Sequence, residues 1–465
     1  MKAMVESIAV EIGVRCKHTF FLNFVIALII SGTTVKAASR IPNFTILPKR
    51  FNEAKIVCHP KGKFLASLFF KEEVWEFEGE KWKRRYGVSL EVWELDKTMY
   101  PYRLLFQESE QPGGVVYIGH LIWVGDNLLY TVLTGFQSFK EFIEYANRQA
   151  AKDPFKSVRI GYYKQHYELR LWSPGTNRAK IVRKGVLGIG ASVEDYFLLP
   201  SPMENQFVLL DPEDEWTRVI SGMPRNLEEI HHRYLWERII QICKIEGKGV
   251  EVIKTLHIKG IKADPEVIGF SSDGRFLVVR AYFNPQMIKS PSFFGGPPYL
   301  IIDLMKGSVS VWEFGNKISE EIGISFGLLS TNKIIILHDL IGELNIRYTD
   351  WEGNILKEYI ITDEQFRKML GFNTYEQLKK LDGVVAPIYE AWTSDGKKII
   401  MHQGGYVWSL DIDSLTMKRV TKGIWIEKAL QWINDKYLLI QWCPYTFLRD
   451  TSRELSFSFG FLKID

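Results

Sequence analysis

The residues in this chain best suited to acid–base chemistry are the adjacent carboxylates Glu194 and Asp195 and the neighbours His338 and Asp339. All four stand near the ends of strand-like runs, so a fold that gathers strand ends around an axis would turn them toward a common channel. Two carboxylates with an imidazole can divide the acid and base roles of a hydrolase or lyase, with or without a metal. Solvated side chains that shape turns are the plainer reading, and it is preferred here. His231 and His232 invite a metal, but adjacent side chains on a helix point about 100° apart and make a poor ligand pair. Gly185, Gly188 and Gly190 lack the Lys-Ser/Thr of a phosphate loop and sit in strand-like sequence, which argues for a tight bend. Neither a Gly-x-Ser-x-Gly nucleophile elbow nor an appended α/β-hydrolase domain is expected. No catalytic, metal or cofactor residue is therefore assigned. The preferred binding candidate is the pair Phe293 and Phe294, in a Pro-rich stretch over residues 284–298. Neighbouring aromatics in a loop anchor a protein partner when exposed, and folding back onto the protein is the alternative.

Elements that position such residues are bounded first by composition. The 465 residues are 46% apolar and 25% charged, an ordinary globular balance that excludes a mostly disordered chain. A net charge of +4 from 59 basic and 55 acidic residues implies no broad nucleic-acid-binding face. Four cysteines are too few for a disulfide scaffold.

The N-terminus reads as an address. Lys17 and His18 precede an apolar run, Phe20 to Ile30, broken only by Asn23. Its length suits a signal-peptide core and falls short of the roughly 20 residues that span a bilayer. Ser31-Gly32-Thr33-Thr34 then breaks the helix, and small residues surround a cleavage point between Ala37 and Ala38. The leader is long and carries Glu6 and Glu11, which initiation near Val14 would explain; an uncleaved anchor is the alternative. Cleavage removes four basic and two acidic residues, leaving 55 and 53 over 428 residues. No later apolar stretch is long enough to span a membrane. The mature protein is thus expected in a periplasm or outside the cell. Of its cysteines, Cys58 and Cys443 fall in neighbouring units if the chain closes in a ring, so a bridge stays open; buried free thiols are preferred.

The mature chain is dominated by short strand-like runs between turn residues. Three passages share a tight turn with glycine and a basic residue ahead of an apolar strand: His59-Pro60-Lys61-Gly62-Lys63, Ser271-Ser272-Asp273-Gly274-Arg275 and Thr393-Ser394-Asp395-Gly396-Lys397. Glycine accepts the positive φ of a hairpin turn, and the basic residue keeps its tip wet. A second pattern is a run of alternating apolar positions ending in tryptophan and a polar residue, at Leu90–Leu95, Leu169–Pro174, Val309–Phe314 and Tyr406–Asp411, with Leu300–Leu304 and Phe207–Asp211 as relatives lacking tryptophan. Trp312 follows the Ile301 run and is expected one strand later. These tryptophans read as core between units.

From Gly274 to Gly396 is 122 residues with one further cluster of strands between, or about 61 residues per unit and about seven units in the mature chain. Four-stranded repeats of that length build an all-β propeller. Blades are expected to begin near Glu53, Val115, Val186, Asp264, Ile322, Ala386 and Ile424. The third is the weakest, since residues 186–258 hold either one decorated blade or two plain ones, so six or eight blades stay open. Residues 391–423, with Ser-Asp-Gly-Lys, Val-Trp-Ser-Leu-Asp-Ile and Arg419-Val420-Thr421, resemble a repeat of the TolB-like β-propeller group. The Val-Trp-Glu-Leu ending is similar to WD-repeats, although Gly119-His120 stands alone where those repeats place a periodic Gly-His. The resemblance covers about a third of the mature chain, and it implies a toroid used mostly to bind other proteins.

Helical insertions are expected near 138–152, opened by Ser138-Phe139-Lys140-Glu141, near 226–236, and near 362–381, opened by Thr362-Asp363-Glu364-Gln365. They would decorate one rim of the ring. The whole reads as residues 1–37 of signal and residues 38–465 of propeller, a non-catalytic binding or scaffold protein of the cell envelope. The alternative is a propeller enzyme using channel carboxylates. N-terminal sequencing of the protein from its native source should return Ala38 first; Met1 would refute both cleavage and late initiation.

Overall fold

The computed structural model describes residues 43–77, 79–109, 117–133, 165–187, 198–210, 237–247, 249–259, 266–280, 299–312, 321–330, 332–340, 343–371, 388–393, 396–403, 406–434, 436–444 and 457–464. Twenty-eight strands in these residues form seven antiparallel blades of four, arranged as a β-propeller. Blade 1 holds β2 (Ala54–Cys58), β3 (Phe64–Phe77), β4 (Glu80–Leu95) and β5 (Pro101–Ser109). Blade 2 holds β6 (Tyr117–Val124), β7 (Asn127–Leu133), β8 (Gln165–Trp172) and β9 (Lys180–Leu187). Blade 3 holds β10 (Leu198–Pro200), β11 (Gln206–Leu210), β12 (Glu237–Glu246) and β13 (Gly249–Lys259). Blade 4 holds β14 (Glu266–Phe270), β15 (Phe276–Arg280), β16 (Tyr299–Asp303) and β17 (Ser308–Trp312). Blade 5 holds β18 (Glu321–Leu329), β19 (Ile334–Leu340), β20 (Glu343–Thr349) and β21 (Ile355–Thr362). Blade 6 holds β22 (Ile388–Trp392), β23 (Lys398–Gln403), β24 (Tyr406–Asp411) and β25 (Thr416–Lys422). Blade 7 takes β26 (Ile424–Ile433), β27 (Tyr437–Pro444) and β28 (Ser458–Lys463) from the end of the chain. Its fourth strand is β1 (Phe44–Ile46), from the beginning.

First strands of successive blades touch, β2 with β6, β6 with β10, β14 with β18, β18 with β22, β22 with β26 and β26 with β2, so they face the axis of the ring. The hydrophobic core is divided accordingly. Seven clusters of buried side chains lie one to each seam: Leu129 and Leu169 of blade 2 meet Phe207 and Leu209 of blade 3, for example, and Ile346 of blade 5 meets Ile399 and Met401 of blade 6. A four-stranded sheet alone exposes two apolar faces, and stacking against two neighbours buries both.

The seam between blades 7 and 1, where the end of the chain meets its beginning, is fastened by polar clasps. The side chain of Gln431 on β26 acts like a strip of backbone: its Oε1 accepts from Cys58 N–H at 3.0 Å and its Nε2 donates to Cys58 O at 2.7 Å. Asn434 Nδ2 donates to Lys61 O at 2.7 Å, and Thr45 Oγ1 to Thr98 O at 2.7 Å. Arg50 lies between β1 and β2, pairs with Glu91, and stacks 5.0 Å above Trp93 and 5.1 Å above Phe69. Gly460 on β28 leaves room for β1, since a Cβ there would come within 2.5 Å of the Phe44 ring.

The three glycine turns behave as the sequence predicts. Gly62, Gly274 and Gly396 have φ of 67°, 69° and 67°, and each joins the first and second strands of a blade. Blades begin at Ala54, Tyr117, Leu198, Glu266, Glu321, Ile388 and Ile424, within two residues of expectation at six of seven. The third differs because Val186 closes β9 of blade 2, and residues 198–259 make one blade whose middle strands are joined by residues 211–236. Trp93, Trp172 and Trp408 pack in seams. Trp312 ends the fourth strand, one later than the others, and the Phe207 run forms a second strand, not a third. Gly185 continues β9, where a Cβ would press within 2.8 Å of the Tyr167 ring, and Gly188 and Gly190 of the expected bend lie outside the described residues. The capping box at Thr362 and Gln365 opens α1 (Asp363–Met369), which ends before Gly371 at φ 82°. The other expected helices, near 138–152 and 226–236, and its continuation from Thr374, lie outside the described residues.

Gln431→Ala should strip both partners from the Cys58 peptide groups and destabilise the ring by about 1–3 kcal/mol in denaturant unfolding; an unchanged midpoint would show that water replaces the amide.

Candidate functional site

Antiparallel pairing sends every first-to-second and third-to-fourth connection to one rim, and these connections are two to seven residues long. Every connection longer than seven residues leaves from the opposite rim, including residues 134–164, 211–236, 281–298 and 363–387. The two faces of the ring therefore differ by construction.

At the short-turn rim several charged groups are tied into their own turns or blades, and His59, Lys63 and Asp126 join two blades. His59 is 2% exposed, between blades 1 and 2. Its Nδ1 accepts from Lys61 N–H at 3.1 Å, which leaves Nε2 to donate to Asp126 at 3.0 Å. Burial lowers the His59 pKa from 6.5, and the opposing pull of Asp126 only partly restores it. Asp126 also receives Lys63 Nζ at 2.8 Å, and that hydrogen bond helps hold its carboxyl below the usual range. Arg275 and Asp303 pair at 2.9 Å in blade 4. Midway along the first seam, Arg170 bridges Glu108 of blade 1 and Glu168 of blade 2. Burial would raise Glu168, but the hydrogen bonds from Arg170 and Lys184 outweigh it and keep the carboxylate charged.

The opposite rim places basic and aromatic groups at strand ends. His402, near the end of β23, is 1% exposed with Trp425 edge-on at 4.3 Å. Arg280 ends β15 and lies 5.8 Å over the Tyr299 ring. Arg238 is buried at the rim end of β12, and His120 is buried midway along β6. Sequence reasoning passed over these positions. The signal was there in Leu277-Val278-Val279-Arg280 and Arg238-Ile239-Ile240, where a cation abuts an apolar run that would otherwise be core.

Glu194, Asp195, His231, His232, Phe293, Phe294 and the Ala37–Ala38 junction lie outside the described residues. His338 and Asp339 lie on β19, opposite Ile324 and Gly323 of β18, one strand removed from the axis. The Gly-x-Ser-x-Gly spacing, expected to be absent, does occur once, at Gly323-Ile324-Ser325-Phe326-Gly327. It runs inside β18 with Ser325 paired opposite Leu337, whereas a nucleophile elbow needs a sharp strand-to-helix turn. Cys58, Cys243 and Cys443 are buried free thiols. Burial pushes Cys58 far up and raises Cys243 and Cys443 to about 11, so none is poised as a nucleophile. Among the described residues no group of three His, Cys, Asp or Glu side chains is placed to hold a metal.

No protein-family model and no curated protein matches this chain. Solved structures similar to it include U3-55K, at 9% identity over 91% of this chain and 98% of that one, TM-score 0.41. Another is the acylaminoacyl peptidase of Pyrococcus horikoshii, at 10% identity over 70% of this chain and 43% of that one, TM-score 0.37. A third is prolyl oligopeptidase B from Galerina marginata, at 12% identity over 84% and 46%, TM-score 0.38. The chain thus spans less than half the length of either peptidase. The propeller assignment rests on the strand order of the chain itself.

Because the folded-state pKa of His59 lies below 6.5, the unfolded chain takes up the proton first as pH falls. Its contribution to stability should be complete above pH 6.5 and be lost as pH drops through the folded value. The melting temperature of the wild type should fall over that interval more steeply than that of His59→Gln; parallel curves would refute the assignment.

Proposed function

We propose that this protein is an exported, non-catalytic β-propeller of the cell envelope that binds a protein partner through the rim from which its long connections leave. The observation that carries the reading is the difference between the two rims. One is a set of tight turns whose charges are paired across a seam, as Lys63 with Asp126, or within a blade, as Arg275 with Asp303, and the other is where the long connections leave, beside the buried His402 packed against Trp425. Rigid scaffolds present variable loops in this way, and loops so held carry recognition. The TolB-like resemblance of residues 391–423 points to the same use, and the apolar segment before Ala38 to a periplasmic or extracellular site. Among the described residues no helix is long and apolar enough to cross a membrane. Phe293 and Phe294 fall in sequence between β15 and β16 and are taken as the contact residues of the proposed binding rim.

Affinity capture from the native envelope with wild type and with Phe293→Ser/Phe294→Ser tests the reading. Loss of the specific partner with an unchanged melting temperature is the expected result. Equal capture by both proteins would reject the loop, and no specific partner for either would reject the binding function.

A further inference from the structure

The point where the ring closes carries a motif whose spacing ring closure does not require. Asn43-Phe44-Thr45 is the one place in the chain where an asparagine is followed, two residues on, by serine or threonine. That spacing is the acceptor pattern for N-linked sugar, a bulky and hydrophilic group that needs a surface asparagine in an exported protein. Asn43 meets the surface requirement, since it is exposed in a turn just ahead of β1.

A turn asparagine is common enough to need no special role. The φ of Asn43 is 63°, which asparagine tolerates in turns, and Asn205 and Asn434 adopt similar angles of 58° and 51°. Those two serve the fold: Asn205 lies against Gly125, and Asn434 Nδ2 donates to Lys61 O. Phe207 and Lys436 stand two residues beyond them, so neither is an acceptor. Asn43 alone of the three combines the turn with a hydroxyl two positions on.

The backbone around the motif is tied into blade 7. Lys463 N–H donates to Asn43 O at 2.7 Å, β1 pairs with β28 from Phe44 to Ile46, and Thr45 Oγ1 donates to Thr98 O. β28 and β1 are the third and fourth strands of their blade, so Asn43 lies at the short-turn rim. A group on its amide therefore stands on the face opposite the long connections. The turn that Thr45 touches leads to Tyr100 and Tyr102, whose side chains are 43% and 55% exposed. Apolar rings left in water are unfavourable, and the C–H face of a pyranose packs well on them. We propose that Asn43 carries an N-linked oligosaccharide that stands on the short-turn rim, beside Tyr100 and Tyr102, and leaves the long-connection rim clear. The assignment rests on the export proposed above. In the transfer, Asn43 Nδ2 bonds to the anomeric carbon of a lipid-phosphate-linked oligosaccharide as that carbon's bond to the phosphate oxygen breaks. The lipid phosphate leaves with the bonding electrons, and a base of the transferase takes the amide proton.

Mass spectrometry of the protein recovered from fractionated native cells tests this. Trypsin releases residues 41–49 as one peptide, which should carry hexose or hexosamine mass on Asn43. Asn43→Gln and Thr45→Ala, each expressed in the native host, should return the bare peptide. Thr45→Ser keeps the hydroxyl and should stay modified, which separates the acceptor pattern from the packing of the threonine. A bare wild-type peptide would overturn the site. Recovery of that bare chain outside the cytoplasm would leave export standing, and recovery inside would overturn export as well. Sugar that persists in Asn43→Gln would place the modification on another residue and reject Asn43.

Discussion

A four-stranded blade has two apolar faces and can hide them only between neighbours, so an open row of blades always leaves a wet face at each end. Here the row closes, and closure depends on β1, which comes from the start of the described chain and pairs with β28 at its end. Joining segments so distant in sequence costs loop-closure entropy that grows only slowly with length. Burial and hydrogen bonding where the ends meet must still outweigh that cost. The closing seam is reinforced by the Gln431 amide on Cys58, the Asn434 and Thr45 side chains, and Arg50 stacked among Phe69 and Trp93. The first and last strands of the ring are held by one blade, so neither can leave without opening the circle.

The same division of labour governs the other seams. Aliphatic side chains supply the area, and a few polar groups set the angle and height of one blade against the next. Trp123 reaches the Val57 carbonyl of blade 1 at 3.1 Å, His59 reaches Asp126 of blade 2, and Arg183 of blade 2 reaches Gln241 of blade 3 at 2.9 Å. Turn glycines admit neighbours: Asn434 lies 3.0 Å from the position a Gly62 Cβ would take, and Met203 2.8 Å from that of Gly274. Groups whose ionisation would be chemically useful are thereby committed to structure.

Much of this was legible in the residues. The Asp273-Gly274 turn, the Trp-ended runs and the 122-residue spacing led to seven blades, because each is a local requirement that repeats with the fold. The error at Val186 has a local cause as well. A strand that ends one blade and a strand that begins the next look alike when a connection as long as residues 211–236 interrupts the count. The Phe207 run, grouped with the Trp-ended runs, forms a second strand where most of those form third strands, since second and third strands are both buried on two faces and equally apolar. The Ser325 motif shows the converse limit: a spacing that matches a catalytic signature lies within a strand, and only backbone geometry separates the two.

The chain by itself determined the class of fold, a count of about seven repeats with six or eight left open, the phase of six of them, and the glycine turns, because these follow from alternation, φ preference and apolar area within a few residues. Tertiary structure alone decided which ends meet. That β1 completes blade 7, that Gln431 serves the backbone of Cys58, that the long connections share a rim, and that β3 and β4 outgrow their blade are relations between residues far apart in sequence. They arise when seven amphipathic sheets are forced to share faces around one axis, a condition no single segment carries.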